Sequence, residues 1–166
     1  MLPIVLISVS VCHPRRKLGG ILKPAEFVAM QYVDPEREQF DHFKALPRDT
    51  PIHMLNLIKL KGSSTYEDGT VTTGAEAYAA YGRDSGPIFK RVGGKILWRG
   101  KPEGLVIGPA DEKWDIAFIA YYPNSGAFME MITDANYQQA VKHRQAAVET
   151  SRLIRHGELP AGDLFD

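Results

Sequence analysis

The sequence has little cysteine, no surplus charge of either sign and no apolar run long enough to cross a membrane. Its one cysteine, Cys12, excludes an internal disulfide and a cysteine-based zinc cluster. The 20 basic residues equal the 20 acidic ones, so the positive surplus that binds nucleic acids or anionic membranes is missing. The apolar run at residues 2–12 is shorter than the ~20 residues of a membrane-spanning helix. We expect no nucleic acid and no membrane as partner, and a cytoplasmic location.

Short motifs for metals, nucleotides and hydrolysis are also missing. The sequence has no HExxH, no CxxC, no GxGxxG and no GxxxxGK[ST], and Ser151 does not lie in a GxSxG turn. We therefore predict no metal site, no bound cofactor and no hydrolase triad. What the chain does have is ordinary globular composition, with 44% hydrophobic residues in 166, which is enough for one domain with a real core.

The chain divides into three segments. Residues 1–30 differ from the rest and have three interpretations: a weak export signal, an extra strand, or an appendage upstream of a natural start at Met30; we favour the third. Residues 34–156 form the single predicted domain. Residues 157–166 contain Gly and Pro, end in acidic residues and are predicted to be a loose tail.

Periodicity within residues 34–156 predicts a regular order of elements. A helix capped by Asp34 ends before Pro47, and a strand at 52–60 is apolar on both faces. A helix from Gly74 ends at Gly93–Gly94 and is expected to kink or break at Gly86–Pro87. The remaining predictions are strand pieces at 95–99 and 103–108, a strand at 114–122, helices at 125–132 and 136–148, and a strand at 150–156.

This order predicts an α+β fold with the ferredoxin-like βαββαβ arrangement, preceded by an extra N-terminal helix. Its sheet would have four antiparallel strands with both helices on one face. Because the strands at 52–60 and 114–122 are apolar on both faces, the helices cannot cover all of this surface. We expect the second face to be buried against the same face of a second copy, giving a homodimer.

The segments PIHMLNLIKLK, GAEAYAAYG, GPIFKRVGGKILWRGKPEGLVIGP, KWDIAFIAYYP and MITDANYQQAVKHRQAAVETSRLI together resemble the family called domain of unknown function 1330. The resemblance covers about residues 34–156. It implies a dimeric α/β barrel, in which two ferredoxin-like protomers pack sheet to sheet. The wider superfamily includes cofactor-free monooxygenases, muconolactone isomerase, stress-response dimers and haem-dependent peroxidases. The family itself implies no particular activity, and fold alone does not carry function.

Three residues are candidates for catalysis. His143 can exchange protons near neutral pH, and Arg144 can hold a carboxylate or an oxyanion. The alternative is that both flank the helix and meet solvent or Glu149. Asn56 interrupts an apolar strand, so its amide must bond either to a core partner or to a ligand.

Five further residues are candidates for substrate binding. Tyr78 and Tyr81 share one helical stripe, and their hydroxyls could reach a cavity. Trp98 and Arg99 point to opposite faces of their strand, so one of them should face the pocket. Ser151 belongs to the family pattern that begins with His143 and Arg144.

Two functional hypotheses follow from these residues. In the first, the chain is a cofactor-independent enzyme, monooxygenase-like or isomerase-like, acting on a small aromatic or lactone-like compound. His143 would be the acid or base, Arg144 and Asn56 the anchors, and Tyr81 and Trp98 the pocket walls; this requires His143, Arg144 and Asn56 to share one cavity. In the second, the chain is a non-catalytic dimer that binds a small molecule or serves in a stress response.

Overall fold

The computed structural model describes residues 32–159. Its helices are α1 (Arg37–Ala45), α2 (Gly74–Arg91), α3 (Ser125–Thr133) and α4 (Ala135–Ala147). Its strands are β1 (Ile52–Leu60), β2 (Ser64–Thr65), β3 (Val71–Thr72), β4 (Lys95–Gly100), β5 (Ile116–Tyr122) and β6 (Val148–His156). The predictions for residues 1–30 and for the end of the tail, 160–166, lie outside the described residues. No helix within residues 32–159 combines the length and the apolar character needed to cross a membrane.

The main sheet has four strands in the order β4-β5-β1-β6. Every neighbouring pair is antiparallel. With the small β2–β3 hairpin set aside, this is the order of a ferredoxin-like βαββαβ domain. The α+β fold predicted from the sequence is therefore confirmed, and α1 is the extra N-terminal helix.

The two faces of the sheet have different surroundings. On the face that carries the helices, which we call the covered face, Ile52, Met54 and Ile58 of β1 are 1%, 3% and 1% exposed. The opposite face, which we call the open face, has no helix against it in the described part of the chain. Its apolar side chains are half-buried or exposed: Leu55, Leu57, Leu97, Trp98, Ile119, Tyr121 and Ile154. The apolar surplus predicted from β1 and β5 thus lies on one continuous surface.

The core of the covered face consists of two separate clusters. The larger cluster joins the start of β1 and the end of β5 to α2, α3 and α4, and its members include Ile52, Tyr122, Ile88 and Met131. The smaller cluster joins the end of β1 to the start of β6 and contains Ile58, Ala77, Ala147 and Val148. Phe118 packs from the side against both clusters. The middle of the covered face is therefore left without close helix packing.

Helix α1 begins later than the sequence predicts. Its N-cap is Glu36, which makes no side-chain capping bond, and not Asp34. Asp34 instead accepts a hydrogen bond from Gln145 Nε2 at 3.0 Å. Helix α1 contains no buried residue, and the ring of Phe43 meets the ring of Phe128 at 5.2 Å between centroids. Aromatic packing and the hydrogen bonds from Arg155 to the carbonyls of Phe43 and Pro47 therefore hold this helix in place.

Helix α2 runs through Pro87 without a break, contrary to the prediction. The helix continues because Ile88 and Val92, on either side of its last turn, are buried in the larger cluster. Pro87 and Arg83 are both exposed, so the carbonyl that loses its helical bond to Pro87 lies on the solvent side. At the other end, Thr73 and Glu76 form a reciprocal capping box. Hydrogen bonding, first from the Thr73 backbone, lowers the pKa of Glu76 to about 2.

The strand predicted at residues 103–108 is absent, and this segment is part of the loop between β4 and β5. Val106 and Ile107 are 96% and 91% exposed there. An apolar segment becomes a strand only where a neighbouring strand can pair with it, and none lies beside this loop in the described structure. The last predicted helix also ends one residue earlier, because Val148 is already the buried first residue of β6.

Candidate functional site

A cleft lies between the covered face of the sheet and the helices. Its volume is about 1850 Å³ and it is open to solvent. Sites for small ligands usually measure about 300–1,000 Å³, so this cleft, which we call the cavity, has room for a small molecule and for water around it. Several residues of the larger core cluster line it, among them Met54, Tyr122 and Tyr137.

The floor of the cavity is one row of side chains across all four strands. Arg99 of β4 lies opposite Phe118 of β5, Phe118 opposite Asn56 of β1, and Asn56 opposite Leu153 of β6. All of these residues line the cavity. The strand pairing therefore brings an arginine, an aromatic ring, an amide and an aliphatic side chain into a single line.

Asn56 presents its amide oxygen to this space. Its Nδ2 donates to the carbonyl of Met54 at 2.9 Å, which fixes the side chain against its own strand. Within residues 32–159 no donor is within hydrogen-bond distance of Oδ1. Asn56 is only half-buried, so water or a ligand can supply the donor that this oxygen lacks among the described residues.

Three tyrosines form the helix side of the cavity. Tyr78 and Tyr81 come from α2 and Tyr137 from α4. The hydroxyls of Tyr81 and Tyr137 are 3.1 Å apart, and the rings of Tyr78 and Tyr81 are 5.6 Å apart. Burial raises the pKa of Tyr78 and of Tyr137, so both phenols are neutral hydrogen-bond donors at physiological pH.

The positive charges of Arg144 and Arg99 oppose the rise that burial causes in the pKa of Tyr78. Both arginines line the cavity, as Tyr78 does. No hydrogen bond from the Tyr78 hydroxyl to another residue within 32–159 is present, so this phenol has a donor that the described side chains do not use.

Arg144 also lines the cavity, but its donors are used within the protein. One terminal nitrogen donates to Ser151 Oγ at 2.9 Å, and the other donates to the carbonyl of Val33. Ser151 Oγ in turn donates to the carbonyl of Tyr32 at 2.8 Å. The two predicted site residues, Arg144 and Ser151, thus fasten the segment before α1 to β6. We call this set of bonds the clamp.

His143 is not among the residues that line the cavity. Its Nδ1 is 2.8 Å from the hydroxyl of Tyr66 in the β2–β3 hairpin, and its Nε2 is 3.3 Å from a carboxylate oxygen of Asp84 on α2. The requirement that His143 share a cavity with Asn56 and Arg144 is therefore not met. The reason is helical geometry, because neighbouring residues point about 100° apart around the helix axis.

Trp98 is likewise outside the cavity. It pairs with Ile119 on the open face and is 53% exposed. Arg99, the next residue, points to the covered face and lines the cavity. The structure thus brings together Asn56, Tyr78, Tyr81, Arg99, Arg144 and Ser151 of the predicted site, and separates His143 and Trp98 from them.

Two contributors to the cavity were absent from the sequence prediction. Phe118 lies at the centre of the floor and Tyr137 completes the tyrosine wall. Tyr137 shares a helical stripe with Arg144, which was a usable signal. Phe118 could be identified only from the register of β5 against β1, which a single sequence does not specify.

The described residues contain no cluster of three or more His, Cys, Asp or Glu side chains that could hold a metal ion. The donors at the cavity are instead phenols, an amide and guanidinium groups, which suit an organic molecule better than a metal.

Comparisons with solved structures include a relative of high sequence identity. The RPA0582 protein of Rhodopseudomonas palustris, a protein of unknown function, is 58% identical over 80% of this chain and 98% of its own, with a TM-score of 0.78. Two other structures are only 14% identical. SnoaB, a cofactor-independent oxygenase of Streptomyces nogalater, aligns over 70% of this chain and 99% of its own with a TM-score of 0.45. A dimeric ferredoxin-like protein of unknown function from Bacteroides fragilis aligns over 66% and 98% with a TM-score of 0.42.

No curated protein matches this chain. The family model of a domain of unknown function, DUF1330, matches residues 69–157. That range is more than half of the chain and runs from the β2–β3 turn to the end of β6, so it includes most of the cavity. This chain therefore belongs to the DUF1330 family.

Proposed function

We propose that this chain is a homodimeric protein that binds a small aromatic molecule in the cavity. The observation that carries the proposal is the floor, in which a polar residue stands on each side of Phe118. Ligand sites commonly combine apolar and aromatic walls with a few placed polar groups. Tyr78, Tyr81 and Tyr137 supply such walls on the opposite side.

A second copy of the chain is the proposed cover of the open face. Leu97, Trp98 and Ile154 are 53%, 53% and 45% exposed there, and sheets that pack face to face bury side chains of this kind. A two-fold axis would place each open face against its own copy. The cavity lies on the other side of the sheet, so dimerisation would leave it accessible.

The test of ligand binding is a thermal-shift screen of planar aromatic compounds on the full chain, followed by a blocking variant. We expect a ligand at 100 times its Kd to stabilise the protein by about 2.7 kcal/mol. Leu153→Trp should abolish this shift, because Leu153 is on the floor and 48% exposed, so the larger ring fills space rather than displacing core. Val71→Trp, at a 67% exposed site outside the cavity, is the matched control.

The proposal predicts that wild type and Val71→Trp respond to the same compounds and that Leu153→Trp does not. A set of compounds that shift all three proteins equally would place binding elsewhere and contradict it. A screen without a single response from the folded wild-type protein would also overturn it.

A cofactor-independent enzyme acting on a small aromatic or lactone-like compound is the second candidate. One observation favours it: Tyr78 and Arg99 both line the cavity, and their donors have no partner among the described residues. Donors of this kind can stabilise a developing oxyanion. His143 has no part in this version. Liquid chromatography with mass spectrometry after aerobic incubation with each bound compound is the test, because an oxygenated product differs in mass and an isomer differs in retention time. Compounds recovered unchanged by both measures in every case would exclude it.

A further inference from the structure

The charges that line the cavity are strongly unequal. The whole sequence has 20 basic and 20 acidic residues. Among the described lining residues, however, the cationic side chains are Lys90, Lys95, Arg99, Arg144, Arg152 and Arg155, and the only carboxylate is Asp34. Asp34 is itself bonded by Gln145 at 3.0 Å and lies 3.9 Å from Arg144. The electrostatic potential in the cavity is therefore positive, which favours the binding of an anion.

Most of these cations already have partners within the protein. Arg144 belongs to the clamp, and Arg155 donates to the carbonyls of Phe43 and Pro47. Arg152 donates to the carbonyl of Ser151 at 3.0 Å and lies 4.8 Å from the ring of Tyr32. Lys95 is 6.0 Å from the centre of the Tyr121 ring. Neither Arg99 nor Lys90 has a hydrogen bond or ion pair from its side chain to another residue within 32–159.

Arg99 is the better placed of these two for a ligand. It belongs to the floor, beside Phe118, whereas Lys90 is near the C-terminal end of α2; both side chains are exposed. Arg99 and Tyr78 line the same cavity, and neither side chain makes a hydrogen bond to another described residue. A guanidinium can bind both oxygens of a carboxylate, and a neutral phenol can add a third bond.

We propose that the ligand is an aromatic monocarboxylate, whose carboxylate is held by Arg99 and Tyr78 while its ring lies over Phe118. This inference rests on the proposed function and names the chemical class of its ligand. It also changes the expected role of Arg144, which becomes a positioning residue that holds the cavity rim and not the anion anchor.

The experiment compares 2-naphthoate with its neutral counterpart 2-naphthamide, which has nearly the same shape, by calorimetry on the full chain. We expect 2-naphthoate to bind at least about 10-fold more tightly, since hydrogen bonds to charged groups contribute differences of this size. The preference should fall with increasing salt concentration. Arg99→Gln should remove it by weakening 2-naphthoate and should leave 2-naphthamide within two-fold of its wild-type affinity.

Three further variants make the assignment specific. Tyr78→Phe should weaken 2-naphthoate several-fold and 2-naphthamide less, because a hydrogen bond to a charged carboxylate is stronger than one to a neutral amide. Arg99→Lys keeps the charge but loses two-point binding. Its preference for 2-naphthoate over 2-naphthamide should therefore be intermediate between those of wild type and Arg99→Gln. Arg48→Gln, at an exposed arginine outside the cavity, should behave as wild type.

The outcomes separate this inference from the proposed function. Equal binding of both compounds by wild type and Arg99→Gln would overturn the carboxylate class and leave aromatic binding in place. A preference that survives Arg99→Gln would overturn the anchor. Failure of both compounds, together with failure of the aromatic screen, would overturn the proposed function itself.

Discussion

At the scale of single residues, the site contains two kinds of polar side chain. Arg144 and Ser151 have their hydrogen-bonding groups satisfied by Tyr32, Val33 and each other. Arg99 and Tyr78 line the cavity, and their donors have no partner among the described residues. Arg144 and Ser151 thus maintain the shape of the site, whereas Arg99 and Tyr78 can bind a ligand.

Substitution of Arg144 tests the clamp. Arg144→Leu should lower the free energy of unfolding by about 2 kcal/mol or more, because two hydrogen bonds from a charged donor are lost and the side chain is only 14% exposed. Urea denaturation measures this change. Arg83→Leu, which removes an exposed arginine paired with Asp84, should change stability by less than about 1 kcal/mol. Equal effects of the two substitutions would contradict a structural role for Arg144.

The pair His143 and Arg144 shows what could be predicted from the sequence at this scale. The stripe of Tyr137, Val141 and Arg144 was visible in the spacing, and all three line the cavity. His143 is outside that stripe. It was predicted as catalytic because histidine exchanges protons near neutral pH, although its position on the helix already indicated a different face. What the sequence could not supply was its actual partners, Tyr66 and Asp84, which are 77 and 59 positions away and meet it only after folding.

At the scale of elements, the helices and strands with strong local sequence signals were the ones predicted correctly. The predicted strand at 52–60 has the same bounds as β1, because its apolar residues lie between breaking residues at both ends. Asp134 ends α3 and caps α4 through the amides of Asn136 and Tyr137, so the boundary between them is local as well. The strand predicted at 103–108 was wrong because a strand needs a neighbouring strand to pair with. The break predicted at Pro87 was wrong because the packing of Ile88 and Val92 in the core outweighs one missing hydrogen bond.

Two glycines of α2, one at its start and one in its middle, test how closely this helix is packed. A Cβ atom on Gly74 would be 2.2 Å from the carbonyl oxygen of Lys61, whereas one on Gly82 would meet nothing within 4 Å. Gly74→Ala should therefore destabilise the protein by about 1–3 kcal/mol through backbone displacement. Gly82→Ala should stabilise it by up to about 1 kcal/mol through helix propensity.

Thermal unfolding of the two glycine variants beside wild type measures both effects in one helix. The expected result is opposite signs. A stability loss at Gly82 comparable to that at Gly74 would show that α2 is packed on this side by something that the described residues do not provide.

At the scale of the whole molecule, the two faces of the sheet form different surfaces. The covered face supplies the floor of the cavity, and the open face supplies the surface that we propose for dimerisation. Because side chains alternate along each strand, neighbouring residues such as Trp98 and Arg99 serve different faces. The α+β architecture and the surplus of apolar strand surface could be predicted from the sequence, while the row that joins Arg99, Phe118 and Asn56 required the pairing of three strands.

A charge placed on the open face tests the proposed dimer. Ile119→Lys should convert a dimer at micromolar concentration into a monomer, because a buried ammonium group in a sheet-to-sheet interface would lack a partner. Analytical ultracentrifugation measures the mass. Val71→Lys, at a 67% exposed residue of the β2–β3 hairpin, should remain dimeric. Sedimentation of the wild-type chain as a folded 18.5 kDa particle would exclude this assembly.

The location of the tryptophans has a practical consequence for spectroscopy. The chain has two, Trp98 and Trp114; the first stands on the open face, the second lies 5.3 Å from the guanidinium of Arg152, and neither lines the cavity. Their fluorescence emission should therefore shift towards the blue as protein concentration drives association and should respond weakly to occupancy of the cavity. Tryptophan fluorescence can thus report dimerisation, while calorimetry reports ligand binding.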